Sequence, residues 1–168
     1  MAAQTGRTVS KFTKVYIDDS GGTLREIPVN SINGVGLDAP EVDVSAWQDA
    51  VANMLLGQPG ASITISGPFD NAAAVAASAS AAAPSLSGSH TVLAPLVGLN
   101  TPLAFAVCFG MRQYYTTGEP AFGLNLVAGT SGFLVKSYKV DPGNASYEAE
   151  LVVMGTVAPS WINAIPTS

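Results

Sequence analysis

Residues 43–70, DVSAWQDAVANMLLGQPGASITISGPFD, decide how the rest of the chain is read. Ser45 stands at a helix N-cap position and Gln48, three residues on, completes a capping-box pattern. Trp47, Val51, Met54 and Leu55 recur at helical spacing and form one apolar stripe. Gly57 occupies the C-cap position, and Pro59-Gly60 forbids continuation. Residues 61–66 (ASITIS) then alternate small or hydroxylated residues with isoleucines, the period-2 mark of a half-buried strand. The stretch therefore predicts a short amphipathic helix, a tight turn and a strand. A helix this short is marginal alone, so its Trp47 face is expected to pack on a sheet.

Working outward, strands dominate. Residues 13–18 (TKVYID) alternate, Asp19-Ser-Gly-Gly22 reverses the chain, and residues 24–32 return. Pro28 lies inside that return, so the second strand must be an edge or be bulged there. Residues 71–83 (NAAAVAASASAAA) default to a second, Ala-rich helix capped by Asp70 or Asn71 and stopped by Pro84. Residues 84–90 read as a Ser/Gly loop. Strands are expected over 91–99, 103–109, 112–116, 122–127, 132–140 and 146–157. Asp141-Pro-Gly-Asn144 turns the last two into a hairpin. The reading is one mainly β domain over 13–158, an antiparallel β-sandwich or barrel with one flanking α-helix and the Ala-rich segment as a second. Residues 1–12 form a basic arm, and residues 159–168 a tail of little order.

Composition narrows function. Charged residues make up only 11% of the 168-residue chain while 48% are hydrophobic, against about 25% charged in an ordinary soluble domain. Either the surface is neutral and rich in Ser, Thr and Asn, or much of it is covered by other subunits; we favour assembly. The net charge of −5 argues against binding by phosphate neutralisation. Charge is uneven, with Arg7, Lys11 and Lys14 preceding the first acid, Asp18. Those three cations, together with Tyr114 and Tyr115, are the candidate inter-subunit contacts. Residues 1–14 lack the apolar core of a signal peptide, and no apolar run reaches 18 residues. A chain made in a reducing cytoplasm, with no membrane span, is the expectation.

Chemistry is hard to find. His90 is the only histidine and Cys108 the only cysteine, so no intrachain disulfide and no CxxC or HxxxH metal spacing exists. Cys108 sits in the apolar run Phe105–Phe109 and reads as a buried thiol. Asp18-Asp19 and Glu41/Asp43 could pair carboxylates, but turn Asp residues are expected in any case. Gly34-Val-Gly36 lacks a phosphate-cradling context. No catalytic, cofactor-binding or metal-binding residue is therefore assigned.

The order of features resembles the tail tube proteins of long-tailed bacteriophages. The matching pieces are VYIDDSGGTLREIPVNSI, EVDVSAWQDAVANMLLGQPGASITISGPFD, GEPAF at 118–122 and ASYEAELVVMGTVAPSW, covering most of residues 13–161. The Ala-rich run departs from that pattern. The resemblance implies a virion protein whose hexameric rings stack into a hollow tube for DNA delivery. Tape-measure and tail-terminator proteins would be its partners, and an acidic lumen would let double-stranded DNA slide. Capsid decoration is the rival reading, followed by a small carbohydrate-binding or hydrolytic β-sandwich. If the basic arm reaches an adjacent ring, removing residues 1–12 weakens polymer formation while the domain stays folded. Unchanged sedimentation of the truncated polymer contradicts that role.

Overall fold

The computed structural model describes residues 10–74, 84, 86–110, 118–125 and 129–166. Strands β1 (Thr13–Asp18) and β2 (Leu24–Ile27) form the opening hairpin. Its turn is held by Asp19, whose Oδ1 accepts from the amides of Gly21 (2.9 Å) and Thr23 (3.0 Å) and whose Oδ2 accepts from Arg25 Nε (2.8 Å). Those bonds hold the Asp19 carboxyl below its ordinary range even though burial opposes them.

At Pro28 the chain changes sheets. β2 is an edge of a five-stranded antiparallel sheet, whereas β3 (Ser31–Asn33) is an edge of a four-stranded one. A residue without an N–H ends one ladder, and its free carbonyl accepts from Tyr147 Oη at 2.8 Å. Of the edge or bulge expected at Pro28 the structure has the edge, and the 24–32 return ends there at the corner of a sandwich. The five-stranded sheet runs β11-β8-β7-β1-β2, with β7 (Phe105–Phe109), β8 (Ala121–Leu124) and β11 (Ser160–Ile162). The four-stranded sheet runs β3-β6-β10-β9, with β6 (Ser62–Pro68), β9 (Gly132–Asp141) and β10 (Ser146–Met154). The β9–β10 hairpin turns at Asp141–Asn144 as expected, with a register shift at Glu150/Leu151.

Alternation on both sheets aims one face of each inward. Ile17, Phe105, Val107 and Phe122 meet Ile63, Ile65, Phe133, Val135 and Leu151 in a continuous core, with the Phe105 and Phe133 rings 4.8 Å apart. A single short helix among the described residues, α1 (Ser89–Leu93), and the 3₁₀ turn Ala94–Leu96 contribute Val92, Leu93 and Leu96. They pack against β2 and β9. The fold is mainly β with one short helix, as the strand-rich sequence suggested. No described helix is long and apolar enough to cross a membrane.

Four local expectations change. No helix forms over 45–56; the segment is a two-stranded hairpin of β4 (Glu41–Asp43) and β5 (Met54–Leu56). The stripe Trp47, Val51, Met54, Leu55 meets no sheet, and without that packing a short helix does not outweigh its nucleation cost. Gly57, expected as a C-cap, instead donates its amide to Pro40 O (2.7 Å) and closes the hairpin. The flanking helix lies instead at 89–93, where a loop and a strand were expected. Its short apolar run is ambiguous by period, and Pro95 suits a 3₁₀ start. The tail is ordered in part: β11 pairs with β8, and Trp161 packs edge-on to Phe122 (5.3 Å). Residues 71–74 carry no regular structure, while the rest of the Ala-rich run and the strand expected at 112–116 lie outside the described residues.

One buried charge has a measurable consequence. Asp18 is 1% exposed. Its Oδ2 accepts from Ala104 N (3.0 Å), and its Oδ1 has no partner among the described residues. Burial raises its pKa above the ordinary 3.8, with Asp19 adding repulsion and the Ala104 bond opposing. A raised folded value means that the native state holds the proton more tightly. Its stabilising share is full below the ordinary value and is lost as pH rises through the folded one. Asp18→Asn is therefore expected to melt at or above the parent temperature at pH 7, with the difference closing towards pH 3. Thermal unfolding of the unassembled subunit from pH 3 to 8 checks this; a variant weakened most at neutral pH contradicts it.

Candidate assembly surface

The β4–β5 hairpin stands apart from both sheets. Its foot is pinned by Asp38 and Gly60, which exchange backbone hydrogen bonds of 2.9 and 2.8 Å. Beyond that, every residue of β4 and β5 is exposed. Trp47 is 103% exposed and so touches nothing of its own subunit, and Val51, Leu55 and Leu56 are 73, 61 and 72% exposed. Val42, Val44 and Met54 add to the same arm. Full cover of one such aliphatic side chain contributes about 1.5–3 kcal/mol, so this is a large unrealised gain. Exposed apolar side chains gathered on one arm make it a candidate contact site.

The loop at the arm's tip is organised by four polar residues. Asp43 Oδ1 accepts from Ser45 N (2.8 Å) and Ser45 Oγ, and Ser45 Oγ accepts from Asn53 N (2.8 Å). Asp49 Oδ2 accepts from Ala46 N (2.7 Å) and Asn53 Nδ2 (2.7 Å). The bonds from Ser45 hold the Asp43 carboxyl below its ordinary range. Ser45, read as a helix N-cap, thus satisfies a loop instead, the usual competition for Asp, Ser and Asn. Because Trp47 lies inside this staple, it is presented in a fixed frame. The arm is also acidic, with Glu41, Asp43 and Asp49 and no Lys or Arg anywhere between Glu26 and Met111.

The contact candidates taken from the sequence fare unevenly. Lys11 is exposed, its Nζ 4.9 Å from the Phe12 ring centroid. Lys14 Nζ is engaged by Glu26 Oε1 at 2.6 Å within the subunit. Arg7, Tyr114 and Tyr115 lie outside the described residues. Between β1 and β3 an open groove of about 450 Å³ is lined by Lys11, Thr13, Val29, Ile32, Val35 and Phe109. Neither the arm as an exposed knob nor this groove was read from the sequence. The apolar residues of 42–56 were visible, but their helical spacing pointed to burial.

The outer faces of the sheets differ. On the four-stranded sheet, Ser31, Ser66, Glu148 and Lys139 lie in one cross-strand row, and Asn33, Thr64, Glu150 and Ser137 in the next. Lys136 Nζ meets Glu150 Oε1 at 2.8 Å, and this contact is the main cause of a lowered Glu150 pKa. On the five-stranded sheet, Tyr16, Ala106, Cys108 and Ala121 are buried, with Leu24, Ile162 and Ile165 packed on them.

Residues with chemical potential are scattered. Burial pushes the Cys108 thiol up to about 12, with Glu26 adding to it, so its nucleophilic thiolate is scarce at neutral pH. His90 Nδ1 lies 3.2 Å from Tyr138 Oη, and its ring packs 5.0 Å from Phe69. No group of three or more His, Cys, Asp or Glu side chains spaced to hold a metal occurs among the described residues.

No family model and no curated protein matches the sequence. The fold does have solved counterparts. A chain of the anti-feeding prophage cap, a tube-terminating cap, superposes with a TM-score of 0.58 at 12% identity, over 98% of this chain and 95% of that one. A chain of the sheath–tube complex of an extracellular contractile injection system, in its extended state, gives 0.52 at 13% identity, over 96% and 95%. At such identities the likeness is one of fold, and it runs nearly end to end.

The stapled tip has its own test. Asp49→Ala with Asn53→Ala removes two of its bonds without touching the sandwich core. Protease cleavage within 44–53 is expected to rise about fivefold or more while the melting temperature holds. Unchanged cleavage contradicts a stapled loop.

Proposed function

We propose that this chain is a structural subunit of a tail-type tube, repeating as hexameric rings that stack in a virion or virion-like injection particle. The observation that carries this reading is the apolar arm, whose Trp47, Val51, Leu55 and Leu56 have little cover from the described residues of their own subunit, cover that other copies would supply. Three further features support it. The sandwich leaves β3, β9 and β11 as sheet edges, which ring closure would pair. The fold is shared, nearly end to end, with chains from a tube-terminating cap and a sheath–tube complex. The scarcity of charge suits a surface meant to be buried.

In this reading the hydroxyl-rich face of the four-stranded sheet is the channel wall. Lys136 and Lys139 answer Glu148 and Glu150 there, so the wall is closer to electrical balance than the acidic lumen that the resemblance implied. Double-stranded DNA or another cargo polymer would pass without being held. Tape-measure and terminator proteins are the expected partners at the tube's ends, and catalysis plays no part. A terminal ring is the second reading, favoured by the higher likeness to the cap chain than to the sheath–tube chain.

Negative-stain imaging of the purified chain at rising concentration tests this. Hollow tubes of stacked rings are expected. Single closed rings that never stack favour the terminal-ring reading, trimers favour capsid decoration, and a persistent monomer overturns the proposal.

A further inference from the structure

We propose that Trp47 at the tip of one subunit's arm seats in the groove between β1 and β3 of a neighbouring copy. The proposal rests on the tube reading and specifies the contact that joins its subunits. Knob and groove are matched in three ways. In shape, a rigidly framed indole that touches nothing of its own chain faces a cleft of about 450 Å³, ample for one aromatic side chain. In polarity, Val29, Ile32, Val35 and Phe109 give the cleft apolar walls for an apolar tip. In charge, the arm carries Glu41, Asp43 and Asp49 with no cation, while Lys11 at the groove rim has no carboxylate partner among the described residues.

The staple through Asp43, Ser45, Asp49 and Asn53 adds a physical reason for the choice of anchor. A loop ordered before binding loses little entropy on docking, so more of the gain from covering Trp47 appears as affinity. Large aromatic residues in such positions carry a disproportionate share of contact energy. The two surfaces are different patches of one subunit, so the contact is head-to-tail. It leaves a free knob at one end of an open oligomer and a free groove at the other, so the oligomer either closes into a ring or keeps growing.

Crosslinking reads the contact directly, because the one native cysteine is buried. Gln48→Cys places a thiol beside the knob, and Ser10→Cys places one at the groove, both at exposed positions. With a short bismaleimide, the mixture of the two variants is expected to give a covalent dimer that neither variant gives alone. Adding Trp47→Ala to the Gln48→Cys chain should suppress that product. On its own, Trp47→Ala should raise the concentration needed for assembly about thirtyfold while leaving the melting temperature of the free subunit unchanged.

Particles that assemble without the mixed crosslink overturn this contact and leave the tube reading standing; another protein or residues 1–9 would then be the groove's occupant. Crosslinking within a single chain carrying both cysteines, at high dilution, overturns it too, by making the arm its own occupant. A mixed crosslink in a preparation that assembles no further than a closed dimer, by sedimentation before crosslinking, supports the contact and overturns the stacked tube.

Discussion

Two sheets bury their apolar faces against each other, and that contact fixes what is left outside. Ile63, Ile65 and Leu151 meet Phe105, Val107 and Phe122 because successive side chains of a strand point to opposite faces, so β6, β7, β8 and β10 each send one row into this core. The sandwich is satisfied without residues 41–56. Helix α1 and the following 3₁₀ turn supply its remaining apolar fill, so the arm has no place within its own subunit. The same burial that stabilises the domain thus leaves the arm's apolar side chains outside.

Much of this was legible in the sequence where a single physical rule governed. Pro28 had to make its strand an edge or bulge it, and β2 is an edge of its sheet. Asp141-Pro-Gly-Asn144 had to turn, and the β9–β10 hairpin turns there. Cys108 in an apolar run had to be buried, and it is. The failures fall where two structures compete for one pattern. Residues 45–55 carry helical spacing, but a helix of that length forms only against a partner surface, and the subunit provides none. Asp43, Ser45 and Asn53 then bond to the loop backbone and to one another. Residues 91–96 are an apolar run too short for period to choose between strand and helix, and Pro95 with the demands of the core chose the latter.

The candidate site was harder to read than the fold, for a related reason. Basic residues near the N-terminus are obvious in a sequence, yet Lys14 is tied to Glu26 inside the subunit. An exposed tryptophan looks the same on paper as a buried one. What the sequence did contain was the indirect sign, few charges on an apolar chain with no cluster of reactive groups. That sign pointed to assembly without saying which surface performs it. The structure adds the asymmetry of an acidic knob and a groove with a cation at its rim, and asymmetry of this kind favours growth over closed pairing.

The central claim is that residues 41–56 are covered by other copies of the chain. Hydrogen–deuterium exchange, followed by peptide mass in the free subunit and in the assembled particle, measures that cover directly. The account predicts that amides in 41–56 exchange rapidly in the free subunit and become strongly protected on assembly, while the core strands β6 and β7 change little. Equal exchange in both states, in a particle that is demonstrably assembled, would contradict it.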